Sequence, residues 1–350
     1  MKILLLTNMY PNSRSIFGIF VKQQAEALKE KGVDVVIIAR SRNKALSYMY
    51  FILKSTIYVL FSSYDLVHAH YGFHSALVPV LLKRKKLIVT FHGSDALIEP
   101  FRNKLYGVLQ RLVVRRSDYI IAVSNDIKNA LVERLGAVPE KITVISCGVN
   151  TDLFTRHNAE GLRKSLGIPP EGKIVLFVGK IDFMKGLDLL YECARSLNDV
   201  YFLFVGEGSL RTDLENCIFP GPVPNDEMPM WMSLADVFVL PSRSEGTPVV
   251  ILEALSCGTP VISSAVGGCP DLIRDGQTGY LVPLGDVDTL RDRILDLVGS
   301  DSKRLEMGKQ GRRDVVSGYD NAIVSRKIRS IYEMASGNRS TIRDGVSSAS

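Results

Sequence analysis

The sequence predicts two doubly wound parallel α/β units in tandem, and three observations carry that prediction. Short β-branched runs alternate with helix-patterned segments from the first residues onward, which is the signature of βαβ repetition and of a sheet covered on both faces. The alternation restarts after a turn-rich stretch, Pro169-Pro-Glu-Gly172. The chain has 350 residues, enough for two separate cores, and its 46% hydrophobic and 8% aromatic content fits an ordinary water-soluble α/β composition.

In the first half the expected strands are Lys2–Thr7, Val33–Ala39, Asp65–Ala69, Leu87–Phe91, Tyr119–Val123 and Thr143–Ile145. Between them Ile19–Glu30, Asn103–Arg115 and Asn125–Leu135 carry helical periodicity. Gly148-Val-Asn-Thr-Asp-Leu-Phe154 and a short helix at Gly161–Leu166 lead to the linker. The second set of strands is Lys173–Val178, Tyr201–Val205, Val237–Leu240, Pro260–Ser263 and Tyr280–Val282. Asn321–Met334 reads as a terminal helix, and the Ser- and Gly-rich stretch from Ser336 reads as a disordered tail. No G-x-G-x-x-G follows the first strand, which argues against a dinucleotide cofactor.

Lys2 runs directly into Ile-Leu-Leu-Leu-Thr, a strand and not a signal peptide. Five scattered cysteines without a C-x-x-C pair fit a reducing cytoplasm. The net charge of +6 concentrates in the first third, at Arg40–Lys44, Lys83–Lys86 and Arg111–Arg116. That basicity suits either a solvated face or an anionic membrane surface; no nucleic-acid module accompanies it. Ala45–Phe61 is almost wholly apolar. It falls short of the ~20 residues a membrane span needs, leaving a buried helix or an interfacial one flanked by Arg40 and Arg42.

The most informative stretch is Glu245-Gly-Thr-Pro-Val-Val-Ile-Leu-Glu253. Thr247 is expected to cap a helix with Pro248 at its first position, so that the Val249 and Val250 amides form an anion-binding end. Glu245 and Glu253 would flank that end and accept hydrogen bonds from sugar hydroxyls. A capped surface helix with two solvated glutamates explains the same nine residues. The continuation shifts the balance: Ala254-Leu-Ser-Cys-Gly258-Thr-Pro enters a buried strand, Gly267-Gly268-Cys-Pro-Asp271 follows, and then Asp275-Gly-Gln-Thr-Gly-Tyr-Leu-Val-Pro283. From Ser244 to Pro283 the chain resembles the donor-binding half of family 4 glycosyltransferases, retaining enzymes of the GT-B fold.

That resemblance implies two Rossmann-like domains with parallel sheets facing across a central cleft, and a terminal helix crossing back to the first. The expected division is an acceptor-binding domain at 1–168, a sugar-nucleotide domain at 169–318, the returning helix at 319–335 and the tail at 336–350. The family's basic pair falls on Lys180, where Arg is usual, and on Lys185, within Gly179-Lys-Ile-Asp-Phe-Met-Lys-Gly186. These lysines would neutralise a diphosphate leaving group. The family's histidine beside the transferred sugar falls on His92, with Asp95 in the same loop. Gly18 matches the second glycine of a phosphate-approaching loop whose first place holds Phe17. Gly206 and Glu207 resemble a cleft-lining turn, and Val223 ends a nucleobase loop, Phe219–Val223.

Two patterns resemble metal sites. His68, His70 and His74 could ligate a transition metal, although a strand ending at the cleft explains His68 and His70. Asp286-Val-Asp288 has a D-x-D form, although it also begins a helix, where acids cap. The expectation is therefore no metal ligand and no cofactor. The expected enzyme moves a sugar from a UDP-sugar or GDP-mannose type donor to a saccharide or lipid-linked acceptor, in the cytoplasm at the membrane face. A sugar-nucleotide epimerase of related fold and an inactive nucleotide-sugar binding module are the alternatives; the first lacks identifiable acid–base residues, and intact His92, Lys185, Glu245 and Glu253 count against the second.

Overall fold

The computed structural model describes residues 1–11, 18–40 and 45–337. Phe17, the Arg42 end of the first basic cluster and the tail beyond Gly337 lie outside the described residues. The described residues divide into two compact units: those within 1–123, 127–145 and 324–337 form the first, and 124–126 with 146–323 form the second.

In chain order the first unit contains β1 (Lys2–Thr7), α1 (Ile19–Glu30), β2 (Asp34–Ala39), α2 (Ala45–Phe61), β3 (Leu66–His70), α3 (Gly72–Leu82) and β4 (Lys86–Phe91). It continues with α4 (Ser94–Leu97), α5 (Glu99–Arg102), α6 (Lys104–Arg116), β5 (Tyr119–Ala122), α7 (Asn125–Leu135) and β6 (Ile142–Val144). The sheet is wholly parallel in the order β2-β1-β3-β4-β5-β6. Strand alternation sends Ile3, Leu5, Leu66, Ile88 and Ile121 to one face, under Val21, Ala25 and Leu28 of α1. The terminal helix joins the same core through Val324, Ile328 and Tyr332.

The second unit holds α8 (Glu160–Ser165), β7 (Lys173–Val178), α9 (Leu187–Ser196), β8 (Val200–Val205), β9 (Cys217–Gly221), α10 (Met228–Leu234), β10 (Val237–Leu240) and α11 (Val249–Ser256). Then follow β11 (Val261–Ser264), α12 (Cys269–Leu272), β12 (Gly279–Val282), α13 (Val287–Val298), α14 (Asp301–Gly318) and α15 (Asn321–Ala335), the last of which ends in the first unit. The order is β12-β11-β10-β7-β8-β9.

Two expectations need correction. The units part at residue 145, well before the Pro169–Gly172 linker, because Phe154, Ala159 and Ile168 are buried in the second unit's core. The expected nucleobase loop at Phe219–Val223 begins as a strand: Phe219 lies in edge strand β9, where the missing N–H of Pro220 is tolerated. Phe219 stacks on Phe204 with ring centroids 5.0 Å apart, and Val223 packs against the second core.

Candidate active site

In a parallel sheet, a crevice opens at the carboxyl ends where strand order reverses, because successive connections leave in opposite directions there. In the second unit that place lies between β7 and β10. Hydrogen bonds tie together the turns that leave neighbouring strands. Ile181 N donates to Glu207 O (2.7 Å), joining the turns after β7 and β8. Arg243 N donates to Met184 O (2.9 Å), joining those after β7 and β10, and Gly268 N donates to Gly246 O (2.9 Å), adding the turn after β11. Gly206 has φ +144°, and a Cβ there would stand 1.9 Å from Gly179 O, so this close approach requires glycine.

At the reversal point Lys185 Nζ donates to Glu245 Oε1 at 2.6 Å. Asp182 begins the turn that carries Lys185 by accepting its backbone N–H (3.1 Å). Lys180 is 73% exposed and pairs with Asp182 at 2.9 Å, so it lies at the mouth of the site while Lys185 is drawn inward. Arg243 grips Asp188 with two parallel hydrogen bonds (2.8 and 2.7 Å) and stacks 3.6 Å from the Phe183 ring centroid. Sequence reasoning missed Arg243 and Asp182. Their signal was position: each lies two or three residues from a residue already singled out, in a loop leaving a buried strand.

The helix that follows differs from expectation at its cap. Helix α11 starts at Val249 with Pro248 as N-cap (φ −76°, ψ 95°), and no side chain caps it. Thr247 stands one residue too early, because the Pro248 carbonyl already accepts the first helical hydrogen bond, from Ile251 N at 3.0 Å. Val249 and Val250 are then the first two helical residues, whose N–H groups have no intrahelical acceptor. Glu253 follows one turn on. Burial pushes its carboxyl up to about 7, since charge is costly away from water, and it has no hydrogen-bond or ion-pair partner among the described residues.

The first unit reverses strand order between β1 and β3, and three imidazoles gather beside that point. His68 Nδ1 lies 2.6 Å from the Tyr332 hydroxyl and His68 Nε2 2.7 Å from Thr90 Oγ1. His70 Nδ1 meets His92 Nε2 at 3.0 Å, while His70 Nε2 is buried without a partner among the described residues. A buried N–H without an acceptor costs more than an idle lone pair. His70 therefore carries its proton on Nδ1 and donates to His92, which fixes the proton of His92 on Nδ1. Burial drives all three rings to the neutral form, His68 and His92 down to about 3 and His70 well below its usual value.

The His92 loop is held from behind. Asp95 accepts N–H donors from His92 (2.9 Å), Gly93 (2.9 Å) and Gly72 (3.1 Å), and burial pushes its carboxyl up to about 7 against those donors. Phe20 lies 4.9 Å from the His92 ring centroid, at the start of α1. Gly18, the residue before α1, has φ +84°, and a Cβ there would come within 2.7 Å of the Met9 carbonyl group.

Both metal-like patterns have other employment. The ring nitrogens of His68 are both occupied, and His74 lies 3.1 Å from Glu99. Asp286 caps α13 by accepting the Thr289 N–H and hydroxyl (3.0 and 2.7 Å), and Asp288 pairs with Arg291 (2.6 Å). A cavity of about 840 Å³ sits at the opposite end of the second sheet, beside Asp236 and Pro260. Its Arg163, Arg304 and Arg312 are bonded to backbone carbonyls, so it serves the fold and not the site.

Two Rossmann-like units with parallel six-stranded sheets, one with a lysine–glutamate pair at its reversal point, define an α/β protein of the GT-B class. Residues 158–314 match the model of glycosyl transferases group 1, and residues 18–153 match that of glycosyltransferase family 4. The chain is 33% identical over 261 residues to an uncharacterized glycosyltransferase of Methanocaldococcus jannaschii, covering 71% of this chain and 69% of that one. Sucrose-phosphate synthase from Thermosynechococcus elongatus shares its fold with a TM-score of 0.80 (22% identity, 95% and 98% of the chains). Anabaena HepE in complex with UDP does so with 0.79 (20% identity, 95% and 100%). The chain belongs to the group 1, family 4 glycosyltransferases and is a transferase.

Proposed function

We propose that the protein is a retaining, metal-independent hexosyltransferase that takes a sugar from a nucleoside diphosphate sugar, UDP-linked or of the GDP-mannose type. The acceptor is a hydroxyl of a saccharide or lipid-linked saccharide, in cell-surface polysaccharide or glycolipid synthesis. The observation that carries this reading is the Lys185–Glu245 pair at the reversal point between β7 and β10. A cation next to the open amides of Val249 and Val250 suits a diphosphate, and Glu245 suits sugar hydroxyls. The UDP in HepE supports a nucleotide in a fold of this kind.

As the glycosidic bond stretches, negative charge grows on the diphosphate, and Lys185, Lys180 and the helix amides stabilise that charge more than they stabilise the intact donor. Glu253 accepts a ribose hydroxyl. Gly179, Gly206 and Glu207 shape the neighbouring turns, and Val223 borders the base. No protein nucleophile is invoked: the acceptor attacks from the face the diphosphate leaves, and a donor phosphate oxygen takes its proton. The first unit binds the acceptor and presents His92 as a neutral hydrogen-bonding group to a saccharide hydroxyl. Five free cysteines, four of them buried, support a reducing cytoplasmic setting.

The test incubates the enzyme with a panel of nucleoside diphosphate sugars, with and without saccharide or glycolipid acceptors. Nucleoside diphosphate release that depends on the acceptor is expected, with the anomeric configuration of the donor kept in the product. Interconversion of donor epimers without release would make the protein an epimerase. Donor binding without turnover on any acceptor would make it a binding module.

A further inference from the structure

The first unit carries an apolar face that its own core does not use. On α2, Phe51, Ser55 and Val59 are buried against the unit, while Leu46, Met49, Tyr50, Leu53, Ile57 and Phe61 stand outward. These six recur at helical spacing along one side, from 48% exposed at Ile57 to 80% at Phe61. At 1.5 Å per residue the stripe runs roughly 25 Å. A soluble surface scatters exposed apolar residues singly; a continuous row marks a docking surface. Helix α3 packs against both α2 and α6, and Leu81 on α3 and Leu105 and Val108 on α6 are exposed as well.

Charge identifies what the face meets. Residues 45–117 hold ten Lys and Arg against three Asp and Glu, and one of those acids, Asp95, is buried beneath the His92 loop. Arg84 Nη2 reaches Leu60 O at 3.4 Å, which sets the Lys83–Lys86 cluster against the Phe61 end of the stripe. Asp118 holds Lys83 and Lys86 (3.0 and 3.1 Å), which leaves Arg84 and Lys85 without a carboxylate partner among the described residues. Lys54 lies within α2 itself, and Arg111 and Arg115 are exposed on α6. A second copy docked on the same face would bring like charges together. No helix among the described residues is long and apolar enough to cross a membrane.

We propose that the outer face of α2, with the basic residues at its Phe61 end and on α6, docks parallel to the surface of a bilayer containing anionic lipid. The apolar stripe enters the headgroup–acyl boundary and the lysines and arginines sit at the phosphates. This deepens the proposed use of a lipid-linked acceptor, since it holds the acceptor-binding unit at the surface where such a substrate resides. The test reads binding and not turnover, so it fails or succeeds independently of the transferase reading.

The experiment is vesicle co-sedimentation with phosphatidylcholine alone and with about a third phosphatidylglycerol, at low and high salt. Binding to the anionic vesicles is expected, weakening as salt shortens the screening length from about 10 Å at 0.1 M to about 3 Å at 1 M. Arg84→Glu with Lys85→Glu should lower the partition at least tenfold, since each basic residue near such a surface contributes roughly a fivefold factor. Leu53→Ser with Phe61→Ser should lower it on anionic vesicles at high salt, where the apolar contribution remains. All four side chains are exposed, and an unchanged melting temperature establishes that the variants fold. Equal binding to neutral and anionic vesicles, unaltered binding by the double variants, or a concentration-dependent dimer with no vesicle binding would each overturn the proposal.

Discussion

Both units reverse strand order next to their first strand, so each has a crevice in the corresponding place, yet the two are lined with opposite chemistry. Beside the β1–β3 reversal stand neutral imidazoles, an aromatic ring and a carboxyl held by backbone amides. Around the β7–β10 reversal stand three ion pairs, Lys185–Glu245, Lys180–Asp182 and Arg243–Asp188. The backbone decides where a ligand can sit, and the first few residues after each strand decide what it is. On the proposed reading, a diphosphate, which carries charge, goes to the second crevice, and a saccharide, which carries hydroxyls, suits the first.

Removing charge should therefore matter most in the second unit. Lys185→Ala is expected to lower kcat by about 10²–10³, in line with the loss of one donor to a developing anion. Lys180→Ala, at an exposed pair, should cost less than about tenfold, and Lys180→Arg should keep most activity. Steady-state kinetics on variants of confirmed fold make the comparison. Equal losses from both alanine variants would dissolve the distinction between an inner and an outer lysine.

Removing neutrality should matter in the first unit. His68 and His70 are buried with pKa values pushed below the unfolded value near 6.5, so the unfolded chain binds protons that the folded one refuses. Stability from these groups is present above about pH 6.5 and falls as pH drops toward about 3, by about 1.4 kcal/mol per pH unit for each imidazole. The raised carboxyls of Asp95 and Glu253 contribute a slope of opposite sign over the same interval, so the test is the difference between proteins: in denaturant unfolding at about pH 7 and about pH 5, His70→Asn should lower the wild-type slope by one proton. A slope unchanged by His70→Asn would contradict the buried neutral imidazole.

Glu253 offers a subtler contrast, because its carboxyl ionises only near pH 7. Nucleotide affinity should strengthen as pH rises through 7, by roughly tenfold if the carboxylate hydrogen-bonds a ribose, and Glu253→Gln should remove the dependence. Calorimetric titration with UDP or GDP at several pH values follows it. The smallest expected effect is that of EDTA. With diphosphate charge met by lysines and amides, chelation should leave turnover unchanged, whereas a loss restored by Mg²⁺ or Mn²⁺ would reassign that role.

Most strands were legible in the sequence because the parallel core demands unbroken β-branched runs, and eleven of the twelve among the described residues were placed with their ends shifted by at most one residue. β9 was not, since an edge strand with a proline lacks that demand. The unit boundary was misplaced because turn composition marks Pro169–Gly172, whereas burial of Phe154 decides the packing. In the site, Lys185 and Glu245 could each be singled out, but not their 2.6 Å contact, which joins residues sixty apart. The helix cap failed for a local reason: proline took the cap position that threonine was expected to fill. The pairing of His68 with Tyr332 spans 264 residues and leaves no local trace.

The central claim, that the diphosphate belongs to the charged crevice of the second unit, is tested most directly by calorimetric titration of the wild-type, Lys185→Ala and His92→Ala proteins with UDP and GDP. For the nucleotide that binds, Lys185→Ala should weaken affinity by at least about tenfold, as expected for losing a charge-assisted hydrogen bond, and His92→Ala should leave it within about twofold. Wild-type affinity in Lys185→Ala together with a large loss in His92→Ala would place the nucleotide in the first unit and contradict the assignment.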